Sequence, residues 1–567
     1  MNQIKPNPIF RLMPSLTDLA FLTPLVFLFA RGNGLPFLLQ DGDTGFHIRA
    51  GDWIRTHGAV PQHDIFSFTM PGQPWFAWEW LWDVGASLLH ERWGLGGVVL
   101  ANVFLLCLTF AILYRLIARR CGNPILSIGL TVLAAAGSTI HWLARPHLFT
   151  LLFTVIFMSI LERVREGKTK LLWWLPVLTV LWTNLHGGFI VGIVILGVYG
   201  VGSLVKAALA LEREERVAAV KASLKYFAVA TGCLAASLIN PYFYQLHVHI
   251  VSYLTDSYAI NHVEEFQTAN FHSPMAIFLE VMLALGAGAV AWLAMRKQYG
   301  EALLLIVWAH GALLSGRNIP LFMLMAAPLA GAVLVEWGKI LQRTPVAGWV
   351  PGIARWFEEV AEEIMPIERI GRLHLFSAGV LAVIALAMSS AGTGSKFEAR
   401  YDPKNYPEKA LSVLKPSERV FTHDEWGDYL IYQLSPAGTK VFVDGRSDFY
   451  GLKFGESYID LMKVKYDWES KLREYGVDTI LLPASEGLAS AVKESRNWRA
   501  VYDDGSAIVF RAVVPTAAEA PKISVGGNHV DSNAGSSSRE GRGGNVTRPR
   551  SSLSEDRIFQ TSGGQKL

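Results

Sequence analysis

The sequence predicts a polytopic α-helical membrane protein with about eleven transmembrane helices, a C-terminal soluble α/β domain and a disordered tail. Three observations predict it. The chain of 567 residues is 51% hydrophobic and 17% charged, with a mean hydropathy of +0.29, which is too apolar for an ordinary soluble enzyme. Apolar runs long enough to cross a bilayer recur between residues 15 and 392. After Ser395 the apolar runs shorten to strand length, and beyond Thr516 Gly, Ser, Asn and Arg take over.

The expected spans lie near 15–33, 95–118, 124–143, 147–163, 171–185, 187–210, 222–239, 275–295, 301–316, 319–338 and 374–392. The N-terminus is short and basic, and no small-residue cleavage site follows the first run, so that run reads as an uncleaved span. Cys107, Cys121 and Cys233 are scattered, which argues against a disulfide framework or a cysteine metal site. A net charge of +3 implies no nucleic-acid partner.

Loop charge predicts orientation. Alternate loops carry clusters such as Arg115, Arg119 and Arg120, or Arg163, Arg165, Lys168 and Lys170, and the loop 240–273 has no Lys or Arg. Basic loops stay cytoplasmic. The N-terminus is therefore expected inside a bacterial cytoplasmic membrane. The first outer loop 34–94, the outer loop 240–273 and the C-terminal domain are expected outside. The resulting domains are 1–395, 396–515 and 516–567.

The first outer loop carries the densest chemistry: Asp41-Gly-Asp43, with His47 four residues on. In extended backbone Asp41 and Asp43 point to one side, where they can grip a divalent metal such as Mg or Mn, or act as base and orienting group. The plainer alternative is that they cap the amphipathic helix expected over Thr44–His57, which suits a membrane interface. Other polar groups gather on the same outer face: Arg145 before Pro146, His186 before Gly187-Gly188, and Arg317-Asn318. Ionisable residues at membrane depth are expensive and mark function. Each also has a structural alternative: Arg145 snorkelling at a helix end, a helix break at His186, a cap at Arg317. Trp75, Trp78, Trp80 and Trp82 read as an interfacial aromatic belt, with Glu79 out of place among them. His247 and His249 read as interfacial before they read as metal ligands.

In the C-terminal domain, helices are expected at Pro407–Leu414 and Trp468–Tyr475. Strands are expected at Arg419–Thr422, Lys440–Val443, Thr479–Leu482 and Ala507–Arg511. Two polar motifs sit at strand ends: His423-Asp-Glu-Trp-Gly-Asp-Tyr429 and Asp444-Gly-Arg-Ser-Asp-Phe-Tyr450. Ligand groups often occupy such ends. Asp444 and Arg446 can equally form a structural ion pair.

With its acidic motif just after the first span, its many spans and its outer C-terminal domain, the chain resembles the GT-C superfamily of integral-membrane glycosyltransferases. That group includes oligosaccharyltransferases, protein O-mannosyltransferases and the lipid A aminoarabinose transferase. Residue-level matching is limited to Asp41 and Asp43. The segment His423–Tyr429 is loosely similar to the outer-domain motif of oligosaccharyltransferases but lacks its double tryptophan, so acceptor-sequon recognition is not implied.

The resemblance implies transfer of a sugar from a polyprenyl-phosphate-linked donor to a lipid, glycan or protein acceptor at the outer face of the membrane. Asp41 and Asp43 are the implied catalytic or metal-holding pair. Binding candidates are His47, Glu79, Arg145, His186, Arg317, Asp444 and Arg446, with Arg145, Arg317 or His186 offsetting the leaving phosphate. A lipid-linked saccharide transporter and a non-catalytic scaffold are the alternatives. A transporter would more often place polar groups near the midplane than at one face.

Overall fold

The computed structural model describes residues 8–343, 349–368 and 370–513, all within one compact unit. The expected tail and its Asn545-Val-Thr547 pattern lie outside the described residues.

The element order follows the apolar runs. The helices of the membrane part are α1 (Leu16–Ala30), α2 (Asp43–His57), α3 (Trp80–Cys121), α4 (Pro124–Ser138), α5 (His147–Arg165), α6 (Leu175–Leu185), α7 (Ile190–Leu209), α8 (Arg213–Ala236), α9 (Gln245–Leu254), α10 (Ser257–His262), α11 (Ala276–Met295), α12 (Tyr299–Leu314), α13 (Ile319–Arg343), α14 (Trp349–Glu368) and α15 (Leu375–Ser389). Among the described residues, seven helical stretches are long and apolar enough to cross a membrane, and α1, α12 and α15 are shorter apolar helices. The expected span 171–185 is a 3-10 turn, Thr169–Trp174, running into α6.

Local signals set the helix ends. Ser15 and Asp18 form a reciprocal capping box at α1. The Asn123 side chain accepts from the Leu126 N–H at the start of α4, and Pro124 fits the first turn. Gly58 and Gly122 close α2 and α3 in left-handed conformation. The long α3 kinks at Trp93 and Gly94, which separates an outer segment from the expected span beginning at residue 95.

Helix α13 is apolar all round and buried along Ile319–Gly331, as suits the innermost helix. Helices α7 and α12 cross backbone to backbone: a Cβ on Gly202 would lie 2.2 Å from Gly300 Cα. At the end of the bundle bearing the basic loops, Arg120 of α3 pairs with Glu162 of α5 and Glu301 of α12, both at 2.7 Å.

The C-terminal part holds β1 (Val420–Thr422), α16 (Asp424–Leu434), α17 (Ser447–Met462), α18 (Trp468–Glu474), β2 (Thr479–Pro483), α19 (Gly487–Glu494), β3 (Trp498–Asp503) and β4 (Ala507–Ala512). The sheet order is β1-β2-β4-β3, parallel between β1 and β2 and antiparallel elsewhere. Strand β3 is mostly exposed, so its weak alternation hid it from the sequence. The helix expected at Pro407–Leu414 is a 3-10 turn over Lys409–Val413. Lys440–Val443 makes only single bridges, from Val441 to Ser67 and to Val420. Val441 N–H donates to the Phe66 carbonyl and Phe68 N–H to the Val441 carbonyl, each at 3.0 Å, so this segment joins the first outer loop to the sheet.

Helix α2 is not the interfacial helix its pattern suggested. It is packed between α3 and α16, with Ile48 and Ala50 fully buried. Glycine makes this possible. A Cβ on Gly51 would lie 2.0 Å from the Asp83 carbonyl oxygen, and one on Gly45 would lie 2.6 Å from Tyr432 Cβ. Nor do the tryptophans form a belt: Trp75 and Trp82 are buried, and Trp80 donates to Asn184 Oδ1 at 2.8 Å.

Gly51→Ala should therefore destabilise the protein by about 1–3 kcal/mol through overpacking. Gly85→Ala is the control, because nothing lies within 4 Å of its added Cβ. Thermal unfolding in detergent measures both, and equal melting temperatures for Gly51→Ala and wild type would contradict the close α2–α3 packing.

Candidate active site

The site begins with one guanidinium. Ala144 N–H donates to the Leu38 carbonyl at 2.7 Å, and Thr44 Oγ1 donates to the Ala144 carbonyl at 3.1 Å. These bonds tie the turn before α5 to the first outer loop and bring Arg145 between Asp41 and Asp43. Arg145 Nη1 meets Asp41 Oδ2 and Nη2 meets Asp43 Oδ2, each at 2.7 Å. Asp43 N–H also donates to Asp41 Oδ1 at 3.1 Å, a local turn just ahead of α2, whose N-cap Gly42 has no side-chain cap.

A third carboxylate comes from the Lys/Arg-free loop. Glu265 Oε1 lies 2.9 Å from Arg145 Nη1, and Oε2 lies 3.7 Å from Arg317 Nη2. The Glu265 loop is laced to the Arg317 turn: Ser315 Oγ donates to the Glu265 carbonyl and Gly316 N–H to the Gln267 carbonyl. Arg317 stacks over Phe266 at 4.5 Å and near Tyr253 at 5.9 Å. Its Nη1 is buried with no hydrogen-bond partner among the described residues.

Charge is distributed unevenly over this cluster. Burial pushes Asp41 up to about 7; Arg145 opposes that, and Asp43 and Glu265 reinforce it. Burial also acts on Glu265, but Arg145, His141 and Arg317 together hold it well below the usual carboxylate range.

A cleft opens beside the cluster, lined by Asp43, Arg145, Glu265 and Arg317. His47, Glu79 and His186 line it too. His47 Nδ1 lies 2.7 Å from Asp83 Oδ1. Burial disfavours its charge, but Asp83 outweighs that and raises His47 above its ordinary value. Glu79 is pushed up to about 8 by burial, against the pull of His47. His186 is pushed down to about 3, by burial and then by Arg317 and Arg145.

The C-terminal part supplies the remaining wall. Arg446 makes a two-pronged pair with Asp444, both bonds 2.7 Å, and reaches Asp64 at 2.9 Å. It also stacks on Trp75 at 4.6 Å. This bolts the loop before α3 to the C-terminal part, and Arg446 Nη1 is left buried and without a partner among the described residues. Gly445 passes between two acids: a Cβ there would lie 2.5 Å from both Asp43 Oδ1 and Asp428 Oδ2. Asp428 is fully buried, and that burial, followed by the charges of Asp43 and Asp444, raises its carboxyl well above the ordinary range.

The structure thus gathers His47, Glu79, Arg145, His186, Arg317 and Arg446 around one cleft with Asp43. Asp41 stands behind Arg145, and Asp444 lies behind Arg446 in a structural pair, outside the cleft lining. His247 bonds Ser237 and His249 bonds Asp448, so the two histidines have separate partners. Sequence reasoning missed Glu265, Tyr253, Asp428 and Asp448. Glu265 sat unmarked in an acidic loop, and Asp428 was one acid among several in its motif.

Asp41 and Asp43 each commit an oxygen to Arg145, and among the described residues no group of three or more His, Cys, Asp or Glu is placed to hold a metal ion. As arranged, the pair is a guanidinium clamp and does not fit the multi-oxygen shell of Mg or Mn.

The fold has relatives among solved structures. The apo oligosaccharyltransferase of Archaeoglobus fulgidus aligns with a TM-score of 0.51 at 10% identity, covering 82% of this chain and 69% of that one. This chain has a GT-C fold. Two further GT-C structures align less closely. The A. fulgidus oligosaccharyltransferase AglB, in complex with an inhibitory peptide and a dolichol-phosphate, gives a TM-score of 0.48 at 10% identity over 82% and 68% of the two chains. Apo ArnT from Cupriavidus metallidurans gives 0.43 at 16% identity over 89% and 100%. No protein-family model matches the chain, and no curated protein does.

In this GT-C fold the Arg145 clamp should hold the outer loops together. Arg145→Met strands three carboxylates and should cost about 3 kcal/mol or more. Arg145→Lys keeps the charge but loses the two-pronged reach, so it should fall between. Adding Asp41→Asn and Asp43→Asn to Arg145→Met should recover part of the loss. Melting temperatures in detergent test this, and an Arg145→Met protein as stable as wild type would refute the clamp.

Proposed function

We propose that the protein is a membrane glycosyltransferase that moves a sugar from a polyprenyl-phosphate-linked donor to an acceptor at the outer face of a bacterial cytoplasmic membrane. The observation that carries the reading is the pair Arg145 and Arg317 facing one cleft on a fold shared with an oligosaccharyltransferase. Two guanidiniums lining one cleft complement an anion better than a neutral solute.

In this reading the donor phosphate lies between the two guanidiniums and its lipid tail runs among the spans. As the bond from the anomeric carbon to the phosphate oxygen lengthens, charge grows on that oxygen. Arginines already fixed by Glu265, Asp41 and Phe266 stabilise it without reorganising. Asp43 faces the cleft from beside Arg145 and orients the acceptor. Closing of the cleft by the outer domain limits water, which would otherwise compete for the sugar. His47, held by Asp83 at 2.7 Å, forms part of the cleft wall.

Asp43→Asn keeps size and most hydrogen bonding but removes the charge. It should lower transfer by about a hundredfold or more, with little loss of folded protein. Asp52→Asn, on α2 but outside the cleft lining, should be near neutral. Sugar transfer in membranes at matched protein level is the measurement. Unchanged transfer in Asp43→Asn would move a transporter or scaffold role ahead of the transferase.

Orientation is a separate test. In a background lacking the three native cysteines, which are buried, His272→Cys and Ser485→Cys occupy exposed positions on the proposed outer side. Both should react with a membrane-impermeant thiol reagent in intact spheroplasts, whereas Lys221→Cys should react only after lysis. The reverse pattern would place the cleft in the cytoplasm.

A further inference from the structure

Glu79 differs from the other acids of the cleft. It immediately precedes α3, its side chain is 14% exposed, and no arginine or lysine pairs with it among the described residues. Asp43, by contrast, has one oxygen on Arg145 and Asp428 on its other side. The group that Glu79 faces is His186 Nε2, at 3.6 Å.

The protonation of His186 follows from its other nitrogen. Gly188 N–H donates to His186 Nδ1 at 3.0 Å, so Nδ1 accepts. Thr150 Oγ1 lies 2.7 Å from the same Nδ1 and itself accepts from Trp182 Nε1–H at 3.0 Å, leaving its hydroxyl proton for the imidazole. With Nδ1 an acceptor twice over, the proton of the neutral ring sits on Nε2, aimed at Glu79. The backbone is built for this contact: a Cβ on Gly188 would lie 2.2 Å from Thr150 Oγ1.

We propose that Glu79 is the base that takes the proton of a hydroxyl acceptor, and that His186 is the positioning residue that holds its carboxylate through Nε2–H. The inference rests on the transferase reading. The acceptor O–H gives its proton to Glu79 as its oxygen bonds to the anomeric carbon. The bond from that carbon to the phosphate oxygen breaks, and the polyprenyl phosphate leaves with the electron pair, facing Arg145 and Arg317. Glu79 then returns the proton to solvent at the cleft mouth. The 3.6 Å separation shortens when a carboxylate replaces the acid and the acceptor fills the cleft.

The charged and titratable groups facing Glu79 are His47 on α2, Asp83 on α3, Asp448 on α17, Arg145 before α5 and His186 after α6. Burial is the largest influence and lifts Glu79 to about 8; His47 and Arg145 oppose it, and Asp83 and Asp448 add to it. The base form therefore grows as pH rises through 8, and the rate should climb with it.

The test uses full-length protein in lipid nanodiscs and a panel of short-chain polyprenyl-phosphate sugars. Lipid and glycan extract serves as acceptor, and release of polyprenyl phosphate is followed against pH. Wild type should show an ascending limb of kcat/KM near pH 8. Glu79→Gln should release about a hundredfold less or lower still, with the limb flattened. Glu79→Asp should keep the limb at reduced rate. His186→Leu should move the limb upward, because the carboxylate loses its donor, and His186→Gln should bring it back. An infrared carboxylic-acid band that titrates near pH 8 and vanishes in Glu79→Gln gives a readout free of turnover. A wild type that turns over while Glu79→Gln keeps the same rate and limb would overturn this inference alone. Should Glu79→Gln fail to fold, an unmoved limb in His186→Leu would overturn it. A wild type releasing nothing from any donor would sink the transferase reading, and this one with it.

Discussion

The cluster beside the cleft hangs on Arg145. Its guanidinium draws together Asp41 and Asp43 from the first outer loop and Glu265 from the loop before α11, segments far apart in sequence. Three acids around one arginine would repel one another without it. Arg145 offsets the burial that raises the Asp41 carboxyl, and Arg317 shares the charge of Glu265. An arginine held by three carboxylates keeps a fixed orientation, and Arg145 lines the cleft together with Asp43 and Glu265.

Such a cluster forms only if backbones come close, and glycine provides that closeness. Gly42 and Gly45 let α16 sit directly on the N-terminal turn of α2: a Cβ on Gly42 would lie 2.4 Å from the Glu425 carbonyl. Gly427 does the same from the other side, where a Cβ would lie 1.9 Å from the Val443 carbonyl. The outer part is thereby packed against the loop that carries the acids. Tyr401, Tyr406, Trp426 and Tyr429 belong to the same hydrophobic core as the membrane helices. Tyr406 O–H donates to the Gln40 carbonyl at 3.1 Å, next to Asp41. The cleft is therefore walled jointly by membrane helices, outer loops and the C-terminal part.

The two ends of the bundle use charge differently. At one end Arg120, Glu162 and Glu301 neutralise one another among α3, α5 and α12, with Arg165 completing the balance. Both ends leave buried N–H groups without a partner among the described residues: Arg120 Nε at this end, and Arg317 Nη1 and Arg446 Nη1 at the other. Buried donors left open are costly unless a ligand completes them. What sets the Arg145 end apart is the convergence of Asp43, His47, Glu79, Arg145, His186 and Arg317 on one cleft.

Much of the architecture was written in local sequence. The apolar runs located the helices because a bilayer-spanning helix must satisfy its backbone within itself. The polar residues at the outer turns were visible because ionisable groups are rare beside such runs: Asp43, Glu79, Arg145, His186 and Arg317 all line the cleft. What the sequence left open was partnership. It read Asp41 and Asp43 as a cap or as a catalytic pair, and it did not reveal that both pair with Arg145. The amphipathic stripe of α2 pointed equally well to lipid or to protein, and only the close approaches at Gly45 and Gly51 decided for protein. Glu265, Asp428 and the tautomer of His186 depend on contacts across tens to hundreds of residues. Spacing along a chain records which groups can share a helix face; which groups share a cleft is decided by how the helices pack.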